Sequence, residues 1–233
     1  MDSVSDPTVE DQIAYYRARA PEYDDWFYRR GRYDRGEHWN GLWFEEAEAV
    51  ARQLGAIPKC ESILELASGT GIWTKRLISI GRQVTAVDAS PEVIEINRER
   101  VGSEAVQYVQ ADLFDWEPNQ EFDLVFFSFW LSHVPPERLD QFLETVRGAT
   151  KSGGRIFVID SLPDEQSSAV DHPPKQPDQI YETRKLDNGR NYRVVKVYYP
   201  PEALAGIFAR HGFDVEVHTT DRFFWYVSGE KRS

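Results

Sequence analysis

Along the middle of the chain, short apolar runs alternate with segments whose apolar positions recur every three or four residues. Runs 62–67, 83–88, 106–110, 122–129 and 154–160 are short, β-branched and aromatic, and predict buried strands. Segments 72–80, 91–101 and 136–150 carry the helical period. Ser90 suits an N-cap, with Pro91 at the first helical position of 91–101. Strands joined by helices imply a parallel sheet with right-handed crossovers.

The two ends read differently. After a tail at 1–8, a helical pattern begins near Val9, carries Ile13, Tyr16 and Ala20, and is interrupted by Pro21. Tyr23 to Tyr28 is densely aromatic, 29–41 reads as a glycine-containing loop, and 42–54 as a helix with Trp43, Ala47, Val50 and Leu54 inward. Beyond the last parallel strand, 161–178 is a proline-rich polar loop. Residues 180–199 predict a hairpin turning at Asp187-Asn188-Gly189-Arg190. A helix from Pro201 to His211 and an antiparallel pair, 213–218 with 222–227, close the chain. The expected division is a helical lid or capping segment, 1–57, on a main domain, 58–233, with the hairpin as an insertion at about 180–199.

Composition narrows the classes. A length of 233 residues suits one α/β domain with an added lid. Apolar content is only 41%, but 7 Trp, 11 Tyr and 13 Phe compensate and suggest an aromatic-lined site. A net charge of −12 repels phosphate backbones, which disfavours nucleic acid as a partner. The run Arg29, Arg30, Arg32 and Arg35 is interleaved with acids and reads as a solvated face. Cys60 stands alone, so neither an intrachain disulfide nor a cysteine-based metal site is expected. No signal peptide and no membrane-length apolar run is seen, which places the protein in the cytoplasm and off the membrane.

The candidate chemistry lies in Ser62-Ile63-Leu64-Glu65-Leu66-Ala67-Ser68-Gly69-Thr70-Gly71-Ile72-Trp73, a buried strand, a tight glycine turn and a helix start. The next strand ends in Asp88, 23 residues after Glu65. That layout places a nucleoside against a parallel sheet. Gly69 and Gly71 let backbone approach a ligand, and Asp88 can accept from both ribose hydroxyls. A pyrophosphate fingerprint needs Gly or Ala where Thr74 stands, and Glu65 would repel a diphosphate while suiting an ammonium and a sulfonium. Both points disfavour a nicotinamide-dependent reductase.

Glu65-x-Ala67-x-Gly69-x-Gly71 resembles motif I of the class I S-adenosylmethionine (SAM)-dependent methyltransferases, with Ala67 where that family usually has Gly. Tyr108-Val109-Gln110-Ala111-Asp112-Leu113 is similar to the family's third strand, whose acid meets the adenine amino group. Phe122 to Phe129 resembles its fourth strand, and Ser152 to Ile159 its last turn and fifth strand. The resemblance implies a Rossmann-like, doubly wound, mainly parallel seven-stranded sheet with an antiparallel final strand. It implies SAM as cofactor, with Glu65, Ala67, Gly69 and Gly71 at the methionine end, Asp88 at the ribose, Ala89 beside the adenine, and Asp112 and Leu113 at its edge. Ser128 falls where backbone groups meet the ligand's amino group. Tyr16, Arg19 and Tyr23 resemble a lid whose Tyr or Arg reaches the methionine carboxylate.

Methyl transfer is an in-line displacement that needs alignment and exclusion of water, and a base only when the nucleophile arrives protonated. His133, after the fourth strand, is the candidate base; the simpler reading is a histidine that orients its loop. Trp39, Trp43, Trp130, Tyr199 and Trp225 are candidates for an acceptor pocket, most of them more simply core. Arg184 and Lys196 flank the hairpin and read as surface ion pairs before partners of an anionic acceptor. The function expected is methylation of an O or N atom of a small molecule. The alternatives are a tRNA or protein-carboxylate methyltransferase and a non-catalytic SAM-binding protein. The sequence indicates no metal and no oligomeric state.

Overall fold

The computed structural model describes residues 7–172 and 179–233. The expected tail lies outside the described residues as far as position 6, and so does 173–178 of the expected proline-rich loop. In chain order the elements are α1 (Pro7–Arg19), α2 (Tyr23–Phe27), α3 (Glu37–Gly55), β1 (Cys60–Leu66), α4 (Thr74–Leu77), β2 (Gly81–Asp88), α5 (Pro91–Val101), β3 (Val106–Gln110), β4 (Phe122–Ser128), α6 (Leu139–Ala149), β5 (Thr150–Ser161), β6 (Tyr181–Lys185), β7 (Asn191–Val195), α7 (Pro201–Arg210), β8 (Phe213–Thr219) and β9 (Phe224–Lys231).

Seven strands form one sheet in the order β3-β2-β1-β4-β5-β9-β8, and β6 pairs with β7 in a separate hairpin. The strands from β3 to β5 are parallel, and β9 runs antiparallel to both β5 and β8. Side chains alternate across the pleat. Leu124 and Phe126 of β4, with Phe157 and Ile159 of β5, pack on one face under Trp43, Val50 and Leu54 of α3. Val125, Phe127, Ile156 and Val158 pack on the other under Phe142, Leu143 and Val146 of α6 and Leu204 and Phe208 of α7. At the amino ends, Asp123 Oδ2 accepts from both the N–H and the hydroxyl of Ser62, and Lys151 pairs with Asp123 Oδ1 at 2.6 Å.

Boundaries shift for local reasons. α3 begins at Glu37, not 42, because Gly36 takes φ +84° and Asp34 Oδ1 accepts from Gly36 N–H and Asn40 Nδ2 just inside the helix. The expected helix 72–80 shrinks to the short α4. β7 stops at Val195, because Val197 N–H turns away to donate to Ser132 O at 2.7 Å. β9 starts at Phe224, since Glu46 of α3 accepts from Phe223 N–H and holds that residue in the preceding turn.

The N-terminal segment and the hairpin make one cap over the carboxyl edge of the sheet. Gln12 Nε2 donates to His133 O and Gln12 Oε1 accepts from Val195 N–H. Tyr15 packs on Tyr192. Of the arginine run Arg30 is exposed, but Arg29 and Arg35 turn to the protein. Arg29 donates to the carbonyls of Ser167 and Gln166, and Arg35 to those of Glu165, Ser168 and Ala169. Arg29 is buried, and burial first, then Arg35 beside it, pull its pKa down to about 10.

Gly229 tests the register of the sheet edge. It pairs with Ile156 and Val215, and a Cβ there would lie 2.2 Å from Asp214 O and 2.6 Å from Val215 Cγ1. Backbone on one side cannot yield, so Gly229→Ala is expected to lose roughly 1–3 kcal/mol in urea unfolding. An unchanged midpoint would place the β8–β9 contact elsewhere.

Candidate active site

The parallel strands end side by side, and the chain leaves β1 toward β2 but β4 toward β5. A crevice opens where those connections diverge. Ala67 follows β1 with φ +52° and Gly69 has φ +56°. A left-handed conformation costs a residue with a Cβ roughly 1–2 kcal/mol, so Ala67 is held by its surroundings. Those surroundings are dense. Gly69 N–H donates to Asp88 Oδ2 at 3.0 Å, and Asn97 Nδ2 donates to Gly69 O at 3.1 Å. Thr70 donates to Asp24 of α2, which also pairs with Arg100 of α5.

Nine of the residues expected at a cofactor line one cleft of about 710 Å³: Tyr16, Tyr23, Ala67, Gly69, Asp88, Ala89, Asp112, Leu113 and Ser128. Phe114, Val93, Phe129 and Trp130 add apolar wall. Asp88 Oδ1 accepts from Ser90 N–H at 3.0 Å. A carboxylate has about four acceptor positions, so the backbone donors do not exhaust those of Asp88. Burial holds Asp88 above the usual carboxylate range against the pull of backbone N–H donors from Ser90, Gly69 and Ala89. Asp112 Oδ1 accepts from Phe114 N–H, which leaves its other oxygen for a donor. Paired acceptors, close-approach backbone and a flat apolar wall fit a nucleoside.

The other expected residues lie elsewhere. Glu65 is on the same pleat parity as Ile63 and points beneath the loop to α4, where Thr74 donates to it at 2.6 Å; it is 1% exposed. Burial pushes its pKa up to about 8, with Thr74 opposing and Asp88 adding to the rise. Gly71, at φ +89°, is glycine because a Cβ would sit 2.6 Å from Asn97 Oδ1, so it serves packing against α5. Arg19 and His133 face a second, inner chamber of about 540 Å³, which shares Tyr16, Tyr23 and Phe129 with the outer cleft.

In that chamber His133 Nδ1 lies 2.6 Å from Val195 O and Tyr16 packs edge-on against the ring. The carbonyl fixes the proton on Nδ1. Burial, then Lys196 and Arg184, drive the imidazole pKa well below 6.5. Burial likewise keeps the Tyr16 hydroxyl protonated. Arg184 and Lys196 are not surface residues; both line the chamber. Arg184 pairs with Glu182 at 2.5 Å, and Lys196 Nζ lies 2.8 Å from Ser132 Oγ and 3.4 Å from the fully buried Asp160. Asp160 ends the apolar run Ile156-Phe157-Val158-Ile159, and an acid in that place was a readable signal of a polar site. Of the aromatic candidates, Trp130 lines the outer cleft, Trp43 and Trp225 are core, Tyr199 packs against core, and Trp39 lies under Arg222.

Glu65 generates a pH test. Its folded pKa stands above its unfolded one, so between about pH 4.5 and about pH 8 the folded state holds the extra proton and stability falls as pH rises. Glu65→Gln removes that titration. Thermal midpoints of the two proteins are expected to diverge from pH 5 to pH 8.5, with the wild type falling more. Parallel curves would mean Glu65 is ionised in the fold.

Comparison with known proteins follows the same lines. Residues 63–154 match the model of a methyltransferase domain family. A DhpI–SAH complex structure (SAH, S-adenosylhomocysteine) is 34% identical, with a TM-score of 0.80 and coverage of 98% of this chain and 99% of that one. A DhpI–SAM–HEP complex is 35% identical, also at TM-score 0.80, covering 97% and 99%. Among curated sequences, a demethylmenaquinone methyltransferase of Clavibacter sepedonicus is 38% identical over 43% of this chain and 41% of its own length. An "Uncharacterized methyltransferase" of Staphylococcus carnosus (strain TM300) is 25% identical over 72% and 78%.

Proposed function

This chain belongs to the class I S-adenosylmethionine-dependent methyltransferase family, and we propose that it methylates an oxygen or nitrogen atom of a small-molecule acceptor. The observation that carries this reading is the pair of confluent cavities divided by Tyr16, Tyr23 and Phe129. The outer one has the acceptors and apolar wall for the cofactor. The inner one is roofed by the cap and lined by polar and aromatic side chains, a mixture that suits a small polar molecule. A tRNA or a protein side chain would have to pass that cap. A SAM sensor would have no use for a second polar chamber. The DhpI–SAM–HEP complex supports a cofactor and a further ligand bound together in a relative.

Bound SAM supplies an activated methyl group. The chain's own residues hold and orient. Asp88 accepts from the ribose hydroxyls, Asp112 meets the adenine amino group, and Ala89 and Leu113 flank the base. Ala67, Gly69 and Ser128 face the methionine end. Tyr16 and Tyr23 stand on the wall between the cavities, where they exclude water and fix the line of approach. His133 is a weak base, since burial and two nearby cations oppose its protonation. Its bond to Val195 makes it the residue that orients the loop after β4.

Two outcomes test this reading. Asp88→Ala is expected to weaken SAM binding ten- to a hundredfold in calorimetry, roughly 1.5–3 kcal/mol for the two ribose bonds. Unchanged affinity would remove the ribose assignment. Labelled SAM incubated with a fractionated metabolite extract is expected to label a small molecule; SAM binding without transfer would leave a sensor. With that acceptor in hand, His133→Gln is expected to keep kcat within a few-fold. A loss of ~10²–10⁴ would restore the general base.

A further inference from the structure

The inner chamber holds more positive charge than its surroundings neutralise. Three cations line it, Arg19, Arg184 and Lys196, and no carboxylate lines it among the described residues. Two of the cations have a carboxylate behind them, Glu182 for Arg184 and Asp160 for Lys196. Arg19 has none. It is 8% exposed, and among the described residues its guanidinium makes no hydrogen bond and no ion pair. It lies against the rings of Tyr15 and Tyr23, 5.6 and 5.0 Å from their centroids.

A guanidinium out of water is costly unless something carrying negative charge meets it. Ring faces recover part of that cost but satisfy none of its five N–H donors. Neutral hydroxyls of Ser161, Ser168 and Tyr198 also line the chamber, and a hydroxyl donates to an oxyanion as readily as it accepts. His133 adds no charge of its own, because its pKa is held low. The contrast with the whole chain is sharp, since the net charge is −12 while the charged side chains lining this chamber are all cations.

We infer that the inner chamber is an anion site: it binds the acceptor by a compact oxyanion headgroup carrying one uncompensated negative charge, held by Arg19 with Arg184 and Lys196. This rests on the methyltransferase reading and names the class of acceptor. The shared chemistry is a small organic oxyanion, tetrahedral as in a phosphonate or phosphate ester, or planar as in a carboxylate. The forked donors of arginine match either.

The test uses the whole chain and two readouts, calorimetric SAH affinity and anion binding by calorimetry and thermal shift. The probes are inorganic phosphate, methylphosphonate and acetate, each with and without saturating SAH and against chloride at equal ionic strength. The wild type is expected to bind at least one of the three oxyanions in the millimolar range and to gain thermal stability from it. The geometry of the better probe distinguishes the tetrahedral from the planar source. Arg19→Met and Arg184→Met are each expected to lose roughly tenfold or more in anion affinity. Arg19→Lys keeps the charge and is expected to restore part of the loss. SAH affinity is expected to stay within about threefold in all variants, which also shows that they fold. No anion binding beyond chloride in a wild type that binds SAH overturns the inference and leaves the methyltransferase reading standing. An Arg19→Met variant that loses SAH but keeps phosphate also overturns it, and gives Arg19 to the methionine carboxylate. Anion binding without SAH binding would sink the cofactor assignment alone.

Discussion

The parallel pairing of β1 with β4 puts Leu66 beside Phe127 at the middle of the sheet. From there the chain departs in opposite senses, and the gap left at the carboxyl edge has to be filled by something. Everything at the site is arranged around that gap. The loop after β1 is bent left-handed and pinned by Asp88 and Asn97; the loop after β4 opens with Phe129 at φ +53°. Ala67 and Phe129, two of the three non-glycine residues with positive φ among the described residues, lie on the rim of the outer cleft. The sheet tolerates them because its centre is buried on both faces and cannot relax.

The parallel half of the fold was legible because its strands are short, apolar and separated by helical periods, and because each ends on a residue whose chemistry faces the crevice. Asp88, Asp112 and Ser128 are such residues, and they meet in one cleft. Glu65 ends β1 near the crevice in sequence, but the parity of the pleat turns its side chain under the loop toward Thr74. Gly71 is packed against Asn97. A motif fixes where the backbone goes and says little about which side chain faces out.

The cap was less legible for a different reason. Arg29 and Arg35 look like a solvated stripe because their acceptors are backbone carbonyls, and a carbonyl leaves no trace in sequence. Arg184 and Lys196 look like hairpin surface because their burial comes from α1 and from Ser132, far away in the chain. Charge in a sequence therefore marks capacity, and tertiary contacts decide whether it is spent on water, on the protein itself or on a ligand.

The cap is also assembled from distant parts of one thread. Gln12 reaches Val195 across 183 positions, and Arg29 reaches Ser167 across 138. Helix α1 precedes every strand of the main sheet, and its partner hairpin follows all five parallel ones. Until the hairpin arrives, Gln12 and Arg19 have no chamber to close. The parallel strands can pair in the order they are made, with short crossovers between neighbours. The cap must wait for a loop closure of almost the whole chain. The enclosure over the site thus hangs on contacts of great sequence separation, and since its hairpin pairs with no strand of the main sheet, it can open without breaking a strand pairing beneath it.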